Sequence, residues 1–208
     1  MVATGARRRL PFIDMSSHTL AWRGVDPSRV EGAVVELGTD RLDARGASLT
    51  GEYALDWRLA TGPEFVTRHL SVRLRGDGAD RGLELDRSED GVWSAARHEG
   101  GCEEALDTAG LDERALDCDL ALCPFTNTMP IVRHGLVAGD GRTAELVMAW
   151  VSVPDLALHA SPQAYTAVAV GEDHTARVGF ASEGFETTIV VDAEGFVLDY
   201  PGIASRLG

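Results

Sequence analysis

Asp117-Cys118-Asp119 places two carboxylates around a thiol, and a second thiol follows in the spacing Cys118-x4-Cys123. On an extended strand, side chains two apart share a face. Asp117 and Asp119 could then act as a general acid and base, as paired carboxylates do in glycoside hydrolysis. The same spacing also describes an ordinary solvated strand face. The cysteine spacing departs from the close CxxC of zinc and thioredoxin-like sites. His18, His69, His98, His134, His159 and His174 are scattered. No metal site is expected, and the thiols read as buried and reduced. Ser152 in WVSVP sits in an apolar run without a G-x-S-x-G elbow, and no Gly-rich dinucleotide loop follows a strand. All 19 basic residues are arginine, which excludes Schiff-base chemistry and a P-loop lysine. The residues assign no catalytic group and no cofactor.

The run CPFTNTMP is the next candidate. Pro124 and Pro130 bracket Thr126-Asn127-Thr128. Proline cannot donate to a sheet ladder, so the segment reads as an edge, a bulge or a crossing between strands. Asn127 can satisfy neighbouring amides in an Asx turn, and Thr126 or Thr128 can do so more weakly. Alternatively, these side chains present polar groups to a ligand.

Arg68 is the third. It shares an alternating face with Val66, Leu70, Val72 and Leu74, which points it toward the core side of its strand. A buried guanidinium must be paired. Three arrangements satisfy that: a salt bridge to a buried aspartate, a bulge that turns the side chain outward, or a ligand anchor inside a cavity.

The elements that would position these groups are strands. Tyr53, Leu55, Trp57 and Leu59 alternate with Glu52, Asp56 and Arg58. Leu83 and Leu85 alternate with acidic neighbours, and Phe185, Thr187, Ile189 and Val191 form another such face. Ala144 to Val153 is nearly all apolar, as for a strand covered on both faces. Acidic-then-glycine turns punctuate the runs at Ser88–Gly91, Gly139–Gly141, Ser182–Gly184 and Asp192–Gly195, with a similar Arg75-Gly76-Asp77-Gly78. About a dozen antiparallel strands are expected, forming a roll, barrel or sandwich with few or no helices. Glu99 to Ala115 reads as a loop with one short helical turn. Residues 1–13 read as a mobile basic tail, and 14–208 as one domain.

The formal net charge is −14. That field opposes nucleic acid and anionic membrane, which require positive patches. No window is long or apolar enough to span a membrane. An odd cysteine count without a secretory signal points to the cytoplasm. The oligomeric state is open.

The segment Asp119 to Leu136, with PFTNTMPIVRHGL inside it, resembles the signature of the bacterial family called "putative glycolipid-binding proteins". Trp93 after Asp90-Gly91, the strand AELVMAWVSVPDL, Gln163 with Tyr165, and the ending VDAEGFVLDYPGIASR are also similar, so the likeness covers about residues 14–206. The chain departs from the family in reading Val132-Arg133-His134 after Pro-Ile, and in a long acidic approach loop from Cys102 to Asp117. The resemblance implies a many-stranded antiparallel β-roll, a sheet curled around a cavity. Thr126-Asn127-Thr128 would fix a strand crossing near its mouth. An apolar concave face could hold acyl chains, with polar groups holding a sugar or carboxylate. The ligand-binding candidates are Trp57, Arg68, Asn127, Arg133, Trp150 and Tyr165, with Trp57 and Trp150 as walls. The leading reading is therefore non-catalytic lipid or glycolipid binding. One alternative is a hydrolase or other enzyme acting on a small lipid or sugar ester, using Asp117 or Asp119 with His69 or His134. The other is a protein-interaction module.

Overall fold

A computed structural model describes residues 15–76 and 78–208, so the 1–13 tail and Asp77 lie outside the described residues. The first run of strands is β1 (Ser16–Gly24), β2 (Arg29–Leu37), β3 (Leu42–Leu49), β4 (Tyr53–Thr61), β5 (Thr67–Gly76), β6 (Ala79–Arg87), β7 (Trp93–Glu99) and β8 (Cys102–Ala105). The second is β9 (Ala115–Leu120), β10 (Thr143–Val151), β11 (Leu158–Val170), β12 (Ala176–Ser182), β13 (Phe185–Val191), β14 (Val197–Tyr200) and β15 (Ala204–Arg206). One short helix, α1 (Thr128–Arg133), lies between β9 and β10.

All fifteen strands form one sheet. The chain walks outward from β1 to β8, crosses over, and returns from β9 to β15, which pairs with β1 through Trp22↔Arg206. Neighbours are antiparallel with one exception among the described strands: β9 runs parallel to β10. The sheet curls without closing into a barrel. Side chains from β5, β6 and β7 satisfy the free edge of β9. The Thr67 hydroxyl oxygen accepts the Cys118 N–H at 3.0 Å. Arg87 Nε and Trp93 Nε1 donate to the Ala115 carbonyl at 3.0 and 2.9 Å. A strand edge facing the interior must have its polar groups met, and here side chains do what a ladder would do.

The alternation seen in the sequence is the alternation of burial. In β4, Tyr53, Leu55, Trp57 and Leu59 point inward between exposed residues. In β6, Leu83 and Leu85 are fully buried. Ser88–Gly91, Ser182–Gly184 and Asp192–Gly195 make the expected reversals. Gly139–Gly141 instead leads from a 3-10 turn into β10. Cys102–Ala105 adds an eighth strand to the first meander, where a loop with a helical turn was expected.

The concave side is filled by side chains. Trp22 and Phe125 are fully buried, and Trp57 is 2% exposed. Trp57 stacks on Phe125 at 5.4 Å, and Phe125 on Phe196 at 6.3 Å. Trp22 donates its indole N–H to the Val197 carbonyl at 2.8 Å, tying the two meanders together.

Candidate functional site

The Pro-Thr-Asn-Thr run corrects its sequence reading. It is neither a strand edge nor a bulge but a helical insert in the crossing from β9 to its parallel neighbour β10. Residues 124–127 form a 3-10 turn and Thr128–Arg133 the helix, and every residue from Cys123 to Ile131 is buried. Pro124 opens the first turn and Pro130 lies in the first turn of α1. There the missing N–H is one that no carbonyl of the helix would have met. The prolines start helices; they do not interrupt a ladder. Asn127 reaches back from Nδ2 to the Pro124 carbonyl at 3.1 Å, and the Thr126 hydroxyl oxygen lies 3.0 Å from the Cys123 carbonyl.

This helical insert plugs the curl and leaves a cleft of about 570 Å³ beside it. The strands supply its lining: Asp119 from β9, Trp150 from β10, Gln163 from β11, Phe180 from β12 and Tyr200 from β14, with Asn127 from the insert. One side is apolar and aromatic. The other carries a connected polar floor.

That floor is built on Asp119. Its carboxylate accepts the Thr126 hydroxyl and Gln163 Nε2, each at 2.8 Å. The Tyr165 hydroxyl lies 2.9 Å from Asn127 Oδ1 and 3.0 Å from Gln163 Oε1. Each amide already uses its nitrogen as a donor, Asn127 to Pro124 and Gln163 to Asp119, so both turn oxygens toward the phenol. A phenol has one proton. One proton is therefore shared between the two amide oxygens behind the floor. The Asp119 carboxylate, which lines the cleft, has lone pairs beyond the two donors it receives. Burial pushes its carboxyl above the usual range, while Gln163 and Thr126 pull the other way. Burial also raises Tyr165, keeping the phenol protonated.

The sequence candidates fall into separate places. Asn127 and Trp150 line the cleft. Tyr165 is fully buried behind the floor and orients both amides. Trp57 is core, stacked on the insert. Arg133 is a buried partner of Asp117, whose carboxyl burial raises and Arg133 lowers. Asp117 and Asp119 thus have different partners: Asp117 is buried, and Asp119 lines the cleft. Arg68 does not point inward. The β4–β5 ladder pairs Ala60 with His69 but Thr61 with Thr67, so Arg68 is the extra residue of a bulge. Thr67 takes the inward place, and Arg68 donates to the Ser88 carbonyl at 2.8 Å. A side chain on Gly62 would collide with it. All three thiols are free, Cys102 exposed and Cys118 and Cys123 buried, and burial pushes both buried ones up.

The sequence reading missed Arg29 and Glu31, both buried on β2. The signal was present: they share the inward parity of Ala33 and Val35.

The fold and the cleft define a curled, open β-roll with a ligand-sized opening floored by polar groups. The chain belongs to the family described as "Putative glycolipid-binding", whose model matches residues 19–206. It is also similar to a solved structure, the crystal structure of a DUF1089 family protein from Pseudomonas aeruginosa, at 29% identity and a TM-score of 0.64. That likeness covers 85% of this chain and 92% of the other. No curated protein matches. Among the described residues, no helix is long and apolar enough to cross a membrane.

Proposed function

We propose that the cleft binds the uncharged, hydroxyl-bearing head of an amphiphile, a glycolipid in chemical class, without transforming it. The supporting observation is the spare acceptor capacity of Asp119 on the floor. Its free lone pairs call for donors, which sugar hydroxyls supply. No arginine lines the cleft among the described residues, and Glu183 stands at it. A carboxylate or phosphate head would meet repulsion there, in a chain already strongly acidic. Trp150 offers an aromatic face for a sugar ring, and Phe180 and Phe185 an apolar border. The family name agrees with this class. Residues 14–208 act as one binding domain in this reading, and the protein works in the cytoplasm.

The test is titration with octyl β-glucoside below its micellar concentration, with sodium octanoate as the anionic control, followed by native mass spectrometry. Octyl β-glucoside should bind and octanoate should not. Asp119→Asn and Gln163→Leu should each weaken binding about tenfold, the loss of roughly one hydrogen bond to a charged or buried group. Preferential binding of octanoate, or a clean apo mass after incubation with a glycolipid extract, overturns the reading.

A further inference from the structure

Arg29 and Glu31 are ionisable, 3% and 2% exposed, and outside the cleft's polar floor. Their contacts lead to the cleft from behind. Arg29 Nη2 donates to the Leu122 carbonyl at 2.5 Å and to the Ile203 carbonyl at 3.2 Å. Both residues line the cleft, and they come from segments far apart in the chain. One guanidinium therefore bridges two pieces of the wall. Leu122 needs such a hold, because its φ of 67° is a conformation that a residue with a side chain rarely adopts.

Two neighbours set the guanidinium in place. Glu31 lies 3.7 Å from Arg29 Nε, and both side chains are buried. Gly24 on β1 lies between Arg29 on β2 and Ala204 on β15 in the sheet. A Cβ there would collide with the guanidinium. The missing side chain opens the path by which Arg29 crosses β1 to the Ile203 carbonyl.

We propose that Arg29 is the positioning residue of the cleft: its guanidinium, admitted by Gly24 and backed by Glu31, fixes the spacing of the Leu122 and Ile203 walls and so sets ligand affinity. The inference rests on the binding reading above. Lysine keeps the charge but replaces the rigid planar guanidinium, whose Nη2 serves both carbonyls, with an ammonium on a flexible stem.

Cys123 reports the wall directly and needs no ligand. In a Cys102→Ser background the two remaining thiols are both buried, Cys123 at the wall and Cys118 on β9. Alkylation by N-ethylmaleimide, mapped by peptide mass spectrometry, is compared with and without Arg29→Lys. Arg29→Lys should speed modification of Cys123 about tenfold and leave Cys118 unchanged, the effect of losing about one buried hydrogen bond from a local opening equilibrium. Affinity for octyl β-glucoside should fall by a similar factor, and the sugar should protect Cys123 in the unsubstituted protein. Gly24→Ala, which crowds the guanidinium without removing it, should give the same Cys123-selective rise if Arg29→Lys fails to fold. Unchanged Cys123 rates, or equal rises at both thiols, overturn the clamp. A selective rise without any binding or protection by octyl β-glucoside upholds the clamp and sinks the ligand reading.

Discussion

The two meanders share one sheet but are built differently. From β1 to β8 each strand hydrogen-bonds to the next, connections are short, and alternation of burial is regular except at the Arg68 bulge and along the exposed β8. From β9 to β15 the chain inserts a buried helical segment, runs β9 parallel to β10, and shifts register between Val147 and Met148 and again between Ala167 and Ala169. The cleft lies in this second, irregular half, against the insert. A continuous alternating strand buries one face completely. An opening with polar groups at its floor requires breaking that pattern, and the insert and the shifts break it. The first half contributes through Arg29, which supports the wall from behind.

The largest expected effect tests whether the regular half is only scaffold. Trp57→Ala removes the stack on Phe125 and leaves a cavity against the insert. It should lower stability by about 3–5 kcal/mol, read as a reduced denaturant midpoint. If octyl β-glucoside affinity is unchanged once the protein is held folded, the division between scaffold and site stands. A large loss of affinity with little loss of stability would place Trp57 in the site.

A smaller effect follows from the buried charge of that scaffold. Burial raises the Glu31 carboxyl from 4.5 to about 7, against the pull of Cys123 and Arg29. The native state therefore keeps a proton that the unfolded chain releases. This contribution to stability is complete below about pH 4.5 and is lost as pH rises through about 7. The shift corresponds to about 3 kcal/mol. Glu31→Gln removes the titration, so the stability difference between the variant and the parent should change by up to that amount across the window. Parallel stability curves would show that Glu31 is ionised throughout and fully paired with Arg29.

How far the sequence is legible follows the same division. The faces of β4, β6 and β13 are visible as period two because each strand has one buried side. The Thr-Asn-Thr run is conspicuous, but its conformation is not: proline at the start of a helix and proline at a strand edge look alike without the neighbours. Asp119 and Trp150 could be picked out by type. Gln163 and Tyr165 stand out only by resemblance to a family. That Asn127 and Gln163 both turn their oxygens to one phenol depends on three elements meeting, and no local pattern encodes it.

Arg68 and Arg29 sharpen the comparison, and Arg68 supplies the smallest predicted effect. Period two applies to both, each sharing parity with inward apolar residues of its strand. It holds for Arg29, because β2 pairs with β1 without a shift from Ser16↔Leu37 to Gly24↔Arg29. It fails for Arg68, because one extra residue enters between Thr61↔Thr67 and Ala60↔His69. A bulge moves every side chain beyond it to the other face, so the count from Leu70 back to Arg68 ends on the wrong side. Arg68→Ala should therefore cost less than about 1 kcal/mol, the loss of one exposed hydrogen bond to Ser88, and should leave octyl β-glucoside affinity unchanged. Arg29→Lys, conservative by charge, should do more harm to binding than this full truncation. The reverse ranking, measured by melting and titration on the same preparations, would mean that Arg68 faces the ligand and that the bulge is misplaced.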